Sequence, residues 1–118
     1  MKKTIRLKKN YEFNNTFKRG KYFSGNFIEC FYIKNNKNIN YYGIAISSKL
    51  CNAVKRNRVK RLIREAYRSL ENTINTGNTF VFLLKKKTEV DSCDYEKILD
   101  DMKKIFQKIG IINEKDND

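Results

Sequence analysis

Residues 49–68 read KLCNAVKRNRVKRLIREAYR, and their apolar side chains repeat with the period of an α-helix. One side of that helix, at about 100° per residue, carries Val59, Leu62, Ile63, Ala66, Tyr67 and Leu70. The opposite side carries Asn57, Arg61, Arg64 and Arg68, with Lys60 and Arg58 at its two borders. We therefore expect a helix from Asn52 to about Leu70, with an apolar side packed on a sheet and an exposed cationic side.

The charge of this stretch differs from that of an ordinary solvated helix. It holds eight basic side chains and one acidic one, Glu65, whereas solvated faces commonly alternate Glu and Lys at i and i+4. A planar guanidinium group can grip a phosphate through two parallel N–H groups and can stack on an unpaired base. The amide of Asn57 can both donate and accept hydrogen bonds. The pattern favours a polyanion-binding surface over a solvated one.

Charge along the whole chain supports the same interpretation. The 118 residues contain 26 Lys and Arg against 13 Asp and Glu, a formal charge of +13. Nine of the acidic residues but only five of the basic ones fall within residues 89–118, so residues 1–88 carry +17. Nucleic acid is the commonest polyanion available to a cytosolic domain of this kind.

Several classes of function are disfavoured by composition. Histidine is absent, so the chain offers no Ser/His or Cys/His nucleophilic pair. Cys30, Cys51 and Cys93 have no C-x-x-C spacing, which argues against zinc and favours reduced, buried thiols. No apolar run reaches the ~18 residues of a membrane span, and the N-terminus MKKTIRLKK lacks a signal peptide's apolar stretch. We expect a soluble, cytoplasmic protein with no membrane partner, no catalytic residue and no metal or cofactor of its own.

The rest of the chain contains signals for both helices and strands. Asn10 is a candidate N-cap for a short helix that carries Phe13 and Phe17 and ends at Gly20. FIECFYI at 27–33 and YYGIAIS at 41–47 are predicted as neighbouring antiparallel strands joined by a hairpin loop. A shorter strand is predicted at 21–24, and TFVFLL at 79–84 is predicted as a strand buried on both sides.

A last helix, capped by Asp91 or Ser92, completes the prediction. Its apolar stripe consists of Tyr95, Ile98, Leu99, Met102, Ile105, Phe106 and Ile109. The elements predict one α+β domain over residues 1–118, with a single small mixed sheet of about four strands and three helices. Its ends, 1–9 and 113–118, are expected to be mobile.

The segment Arg56-Asn57-Arg58, flanked as NAVKRNRVKRLIRE, resembles the signature of the bacterial ribonuclease P protein component, usually called the RNR motif. The resemblance also includes Arg6-Leu7-Lys8, the Phe13 and Phe17 pair, the strand 43–47, the strand 79–84 and the closing helix. Two positions depart from the family: Cys51 stands where Gly is common, and Cys30 where a cleft-facing aromatic residue is frequent. The resemblance further implies a left-handed crossover around the basic helix, between the strands at 41–47 and 79–84.

The resemblance implies a subunit of a ribonucleoprotein endonuclease that removes the 5′ leader from precursor tRNA. In that family the RNA subunit, with bound Mg ions, is the catalyst, and no further protein partner is required. The RNR helix binds the RNA subunit, a role that falls by position on Arg56, Asn57, Arg58, Lys60, Arg61, Arg64 and Arg68. A cleft between the first helix and the sheet holds the single-stranded leader, and it maps onto Phe13, Phe17 and Phe27, with Lys49 and Lys60 at its edge. Stacking on aromatic rings suits leaders of unrelated sequence.

Other interpretations fit parts of the pattern. A ribosomal protein-like RNA-binding module would show the same charge, although it would not need Asn57 between two arginines. A self-sufficient nuclease has only scattered support, because its candidate ligands form no metal-binding pair of recognisable spacing. Those candidates are Glu12, Glu29, Glu65 and Glu71. An anionic membrane surface is disfavoured because the core needs the aliphatic side of the helix. Phe13 and Phe17 can also be read as core anchors of a short helix.

Overall fold

The computed structural model describes residues 4–113. It contains five strands and three helices in chain order: β1 (Thr4–Arg6), α1 (Asn10–Arg19), β2 (Lys21–Ser24), β3 (Ile28–Lys34), β4 (Asn40–Ala45), α2 (Ala53–Leu70), β5 (Asn78–Leu84) and α3 (Tyr95–Ile109). Short 3₁₀ turns at Glu71–Thr73 and Val90–Ser92 precede β5 and α3. The α+β class with one mixed sheet and three helices is confirmed, and the strand count is five rather than about four.

The order of strands in the sheet is β1-β4-β5-β3-β2. The predicted hairpin between β3 and β4 is wrong, because β5 lies between them, antiparallel to β3 and parallel to β4. The composition of a segment indicates that it forms a strand but not which strands it pairs with. β5 is the most apolar strand, and it lies at the centre of the sheet, where both of its faces are covered. The crossover from β4 to β5 runs through α2. Its left-handed sense stays a prediction from the family resemblance.

The strand β1 was not predicted. Thr4–Arg6 pairs in parallel with Asn40–Tyr42, and Thr4 Oγ1 lies 3.0 Å from the Tyr67 hydroxyl. This strand lies within the stretch 1–9 that was expected to be mobile. Hydrophobic periodicity could not indicate it, because three residues that pair with a distant strand are too few to show a period. At the other end, the Asn113 N–H donates to the Thr73 carbonyl at 2.6 Å. The predicted mobile residues 1–3 and 114–118 lie outside the described residues.

The helix ends show which local signals are reliable. Asn52, where the helix was predicted to begin, is the N-cap of α2, because its side chain accepts the N–H of Lys55 at 2.9 Å. The cap of α3 is Asp94, which accepts the N–H of Lys97 at 2.9 Å; the predicted Asp91 and Ser92 instead lie in the preceding 3₁₀ turn. The N-cap of α1 is Lys9 rather than Asn10.

The lysine at the start of α1 works as a cap through its backbone. Glu12 Oε1 accepts the N–H of Lys9 at 2.9 Å, so the side chain at the third helical position closes the first turn. The helix ends at Arg19, before Gly20, as predicted. A Cβ on Gly20 would lie 2.9 Å from the Tyr32 carbonyl oxygen, so the missing side chain lets the chain turn directly into β2.

Two layers cover the sheet. The main core lies between the sheet and the helices α2 and α3, where the Tyr42 and Tyr67 rings stack with centroids 4.8 Å apart. The apolar stripe of α3 is confirmed, with Ile98, Met102, Ile105 and Phe106 fully buried. The helix α1 packs on the opposite face. Strand alternation thus sends Cys30 into the main core and Phe31 toward α1.

One buried carboxylate connects α3 to the start of β3. Asp101 is 1% exposed and accepts the backbone N–H groups of Asn26, Phe27 and Ile28 at 2.8, 2.6 and 3.0 Å. Gly25 makes room for it, because a Cβ there would lie 2.5 Å from the Asp101 Cγ atom. This contact fixes the turn between β2 and β3 against the helix layer.

Candidate RNA interface

The basic residues of α2 divide between two sides of the helix. On the side that faces α3, Arg58 Nη1 donates to the Val90 carbonyl at 3.3 Å, and Nη2 donates to the Cys93 carbonyl. Lys55 forms an ion pair with Asp91 at 3.1 Å, also on this side. Both cations are therefore engaged with the connection that leads into α3.

The other side of α2 presents cations to solvent. Asn57, Arg61 and Arg68 are exposed, and Lys60 and Arg64 are half-buried. Together these five form what we call the α2 row: Asn57, Lys60, Arg61, Arg64 and Arg68. Arg56 lies at its start, with its guanidinium donating to the Cys51 carbonyl at 2.8 Å, which closes the turn before the helix. The structure thus brings five of the seven predicted RNA-subunit contacts onto one surface, and it holds Arg56 and Arg58 against backbone carbonyls.

Strand β1 adds an arginine to the α2 row. Arg6 is the register partner of Tyr42, whose ring stacks on Tyr67 of α2. Burial raises the pKa of Tyr42; the positive charges of Arg6, Arg64 and Arg68 oppose that rise, and the negative charge of Glu71 adds to it. That hydroxyl is buried and has no hydrogen-bond partner among residues 4–113. Arg6 therefore extends the α2 row onto the edge of the sheet.

Four aromatic rings lie on the opposite face of the sheet, two from α1 and one each from β2 and β3. Phe13 lies directly on Gly43, since a Cβ at that glycine would be 2.5 Å from the Phe13 ring. Phe17 meets Phe31 edge-on with ring centroids 5.2 Å apart, and the Tyr22 ring also packs on Phe31, with centroids 5.3 Å apart. We call Phe13, Phe17, Phe31 and Tyr22 the aromatic strip. Phe13, Phe17 and Phe31 are half-buried and Tyr22 is 50% exposed, so the strip faces solvent and also covers the sheet.

The predicted leader-binding residues do not all lie together. Phe27 packs against the main core, with its ring 5.8 Å from Lys97 Nζ of α3, and it is not part of the aromatic strip. It precedes β3, so strand alternation does not set its direction. Lys49 is exposed in the turn after β4, and Lys60 lies on α2, across the sheet from the strip. In the described part of the chain, neither lysine forms a cation–π contact with Phe13 or Phe17.

Two members of the strip, Phe31 and Tyr22, were missed by the sequence prediction. The signal that could have found them is the period of two along β3. Since Ile28 and Cys30 face the core, Phe31 must face the other side, and its register partner Tyr22 must accompany it. The same alternation explains the departure at Cys30: the strand supplies its cleft-facing aromatic ring one residue later.

The α2 row and the aromatic strip on a small mixed sheet define a basic α+β protein of the nucleic-acid-binding class. A family model described as Ribonuclease P matches residues 1–110. The chain belongs to the ribonuclease P protein family, the protein subunits of a tRNA 5′-processing endoribonuclease. Of the two RNA-binding interpretations of the sequence, the family match supports the ribonuclease P protein and not a ribosomal protein-like module.

Individual relatives agree with the family. The ribonuclease P protein component of Clostridium kluyveri is 37% identical over 108 residues, which cover 90% of this chain and 95% of that protein. The one from Thermoanaerobacter sp. (strain X514) is 33% identical over 107 residues, covering 91% and 90%. The solved RNase P protein from Thermotoga maritima superposes with a TM-score of 0.80 at 25% identity, covering 88% of this chain and 96% of that one. The Staphylococcus aureus RNase P protein shares the fold, with a TM-score of 0.79 at 24% identity and coverage of 92% and 97%.

Within residues 4–113, no group of three or more Cys, Asp or Glu side chains is arranged to hold a metal ion. None of the helices in that range is both long and apolar enough to cross a bilayer.

Proposed function

We propose that this protein docks on the RNA subunit of ribonuclease P through the α2 row. The observation that carries the proposal is the division of α2: Lys55 and Arg58 are engaged within the protein, whereas Asn57, Arg61 and Arg68 project from the other side. Cations without carboxylate partners repel one another until a polyanion neutralises them. Guanidinium groups one or two turns apart on a rigid helix can contact successive phosphates of a structured RNA.

We further propose that the single-stranded leader of precursor tRNA crosses the aromatic strip. Partly exposed rings stack on bases of any sequence, and cations beside them follow the phosphate backbone. Phe13 and Phe17 keep the role proposed from the sequence, and Phe31 and Tyr22 take the place of Phe27. Lys49 and Lys60 are proposed to guide the leader where it passes from the RNA subunit to the strip.

In this proposal the protein binds and the RNA subunit performs the cleavage. The RNA subunit, with the Mg ions that it requires, supplies the chemistry of hydrolysis. The chain has no histidine and contributes cations, amides and aromatic rings, which are groups that recognise RNA. The complex is proposed to act in the cytoplasm, with no further protein partner.

A reconstitution assay tests this function. The purified protein is added to a bacterial ribonuclease P RNA at near-physiological Mg concentration, and removal of the leader from precursor tRNA is followed. We expect the protein to restore cleavage and to be inactive without the RNA. Failure to restore cleavage with a folded protein would contradict the proposal, and cleavage by protein freed of RNA would favour a self-sufficient nuclease.

A further inference from the structure

The edge strand β2 and the C-terminal half of α3 enclose a second basic surface. A groove of about 760 Å³ runs between them. Its cations are Arg19, Lys21, Lys34 and Lys108, and Phe23 and Tyr32 lie between them. None of the residues that line it in the described chain is acidic. Four cations without a carboxylate among them favour an anionic occupant.

The groove is built from positioned groups. The Tyr32 hydroxyl donates to the Asn78 side chain at 2.9 Å, and its ring packs 5.7 Å from that of Phe80. Lys108 Nζ donates to the Ser24 carbonyl at 2.9 Å and so connects α3 to the edge strand. A surface whose side chains are already ordered loses little conformational entropy when it binds.

The groove is separate from the α2 row. The row lies with Arg6 of β1 at one edge of the sheet, and β2 is the opposite edge. Four inter-strand spacings separate the two edge strands, about 19 Å. The same phosphate groups of an RNA therefore cannot contact both the α2 row and the groove.

The groove and the aromatic strip lie on opposite faces of the sheet and meet at Tyr22 on the edge strand β2. Tyr22 packs on Phe31 within the strip and also lines the groove. The strip begins over β4, where Phe13 covers Gly43, and ends over β2 at Tyr22, three inter-strand spacings or about 14 Å away. That length accommodates about four stacked nucleotides at roughly 3.4 Å each. A longer single strand that crosses the strip reaches the sheet edge at Tyr22, where it can pass around β2 into the groove.

The proposed position of the RNA subunit gives the leader a direction. The α2 row and β4 lie toward the same edge of the sheet, so with the RNA subunit on the row the leader nucleotides next to the cleavage site would meet the strip at Phe13. Nucleotides further upstream then leave at Tyr22. We propose that the groove beside β2 binds these upstream nucleotides, as a second site for single-stranded RNA on the protein. This inference rests on the proposed function.

A double variant with a matched control tests the site. Lys21→Gln with Lys34→Gln removes two groove cations, and Lys103→Gln with Lys104→Gln removes two exposed cations of α3 that do not line the groove. Each protein is assembled with the RNA subunit. Binding of precursor tRNA is then measured against salt concentration for leaders of about four and about ten nucleotides.

We expect the groove variant to bind the long-leader substrate more weakly, with its log–log salt slope reduced by about 1.4, or about 0.7 per phosphate contact. Its binding of the short-leader substrate should match that of the wild type, which also shows that it is folded. The control should match the wild type with both substrates.

Two results would overturn the inference. Equally weakened binding of the long-leader and short-leader substrates would indicate that the groove contacts the RNA subunit. Unchanged binding of both would indicate that the groove is exposed to solvent and binds no RNA. Failure of the proposed function has a different signature: the wild-type protein would not support cleavage of either substrate.

Discussion

Arg58 donates a hydrogen bond from Nη2 to the main-chain carbonyl of Cys93, across the interface between α2 and α3. Its Nη1 donates to Val90 in the same connection. The central motif of α2 therefore contains one arginine that joins two parts of the fold, three residues before Arg61, whose side chain forms no such hydrogen bond within residues 4–113. The two side chains differ in role because they leave the helix about 60° apart, on different sides of the cationic face.

Replacing Arg58 with alanine should affect stability more than RNA binding. The variant loses two hydrogen bonds from a charged donor to carbonyl groups, so we expect the free energy of unfolding to fall by about 1 to 2 kcal/mol. The salt dependence of binding to the RNA subunit should stay unchanged. Urea denaturation and binding titrations measure these two quantities. A lower salt slope with unchanged stability would instead assign Arg58 to the RNA contact.

Replacing Arg61 with alanine should have the opposite effect. We expect the free energy of unfolding to change by less than about 0.5 kcal/mol, because the side chain is exposed. The log–log salt slope of RNA-subunit binding should fall by about one. Asn57→Ala is the uncharged comparison, since it should weaken binding with little change in slope. An unchanged slope for Arg61→Ala would indicate that this side chain faces solvent in the complex.

Replacing Phe17 with alanine should weaken binding of leader-bearing substrate by about 1 to 3 kcal/mol, the usual contribution of a stacked ring. Binding of mature tRNA, which has no leader, should be preserved. Phe27→Ala is a comparison on the other side of the sheet, where the ring packs on the core. We expect it to lower stability and not to discriminate between the two RNAs. Equal weakening for both RNAs in the Phe17 variant would indicate misfolding.

Replacing Asp101 with asparagine should destabilise the protein. The carboxylate accepts three backbone N–H groups in a buried site, and an amide oxygen cannot satisfy all of them. We expect the free energy of unfolding to fall by about 3 kcal/mol. Asp100→Asn, at the exposed neighbouring position, should change it by less than about 0.5 kcal/mol. Similar stability of the two variants would show that the three contacts contribute little.

The three thiols should differ in reactivity. Burial raises the pKa of Cys30 and of Cys93, so both remain protonated in mildly alkaline solution. The thiolate is the reactive form, and Cys51 is the one cysteine of the three that is not buried. Iodoacetamide at pH about 8.5 should alkylate Cys51 first, and peptide mass spectrometry identifies the site. Rapid labelling of Cys30 in the folded protein would contradict its position in the core.

Local patterns were sufficient to predict much of the site. The helical period of 52–70 was predicted from neighbours within a few residues, because a helix is stabilised by contacts at i+3 and i+4. The cationic face and the pairing of Phe13 with Phe17 on α1 follow from the same spacing. The continuous apolar run of β5 correctly indicated a strand covered on both faces.

Contacts between distant segments could not be predicted from such local patterns. The order of the strands, the addition of β1, and the meeting of Phe17 with Phe31 and Tyr22 all depend on residues far apart in the chain.

The sequence by itself thus determined which segments form helices and strands and which side of each is apolar or charged, because those properties repeat with the geometry of a single element. The tertiary structure alone decided which cations remain available. Arg58 and Arg61 have the same chemistry and lie on the same helix, but only Arg58 reaches carbonyl groups of the connection to α3. Whether a charge is engaged or free depends on what packs beside it, and that is set by the whole fold.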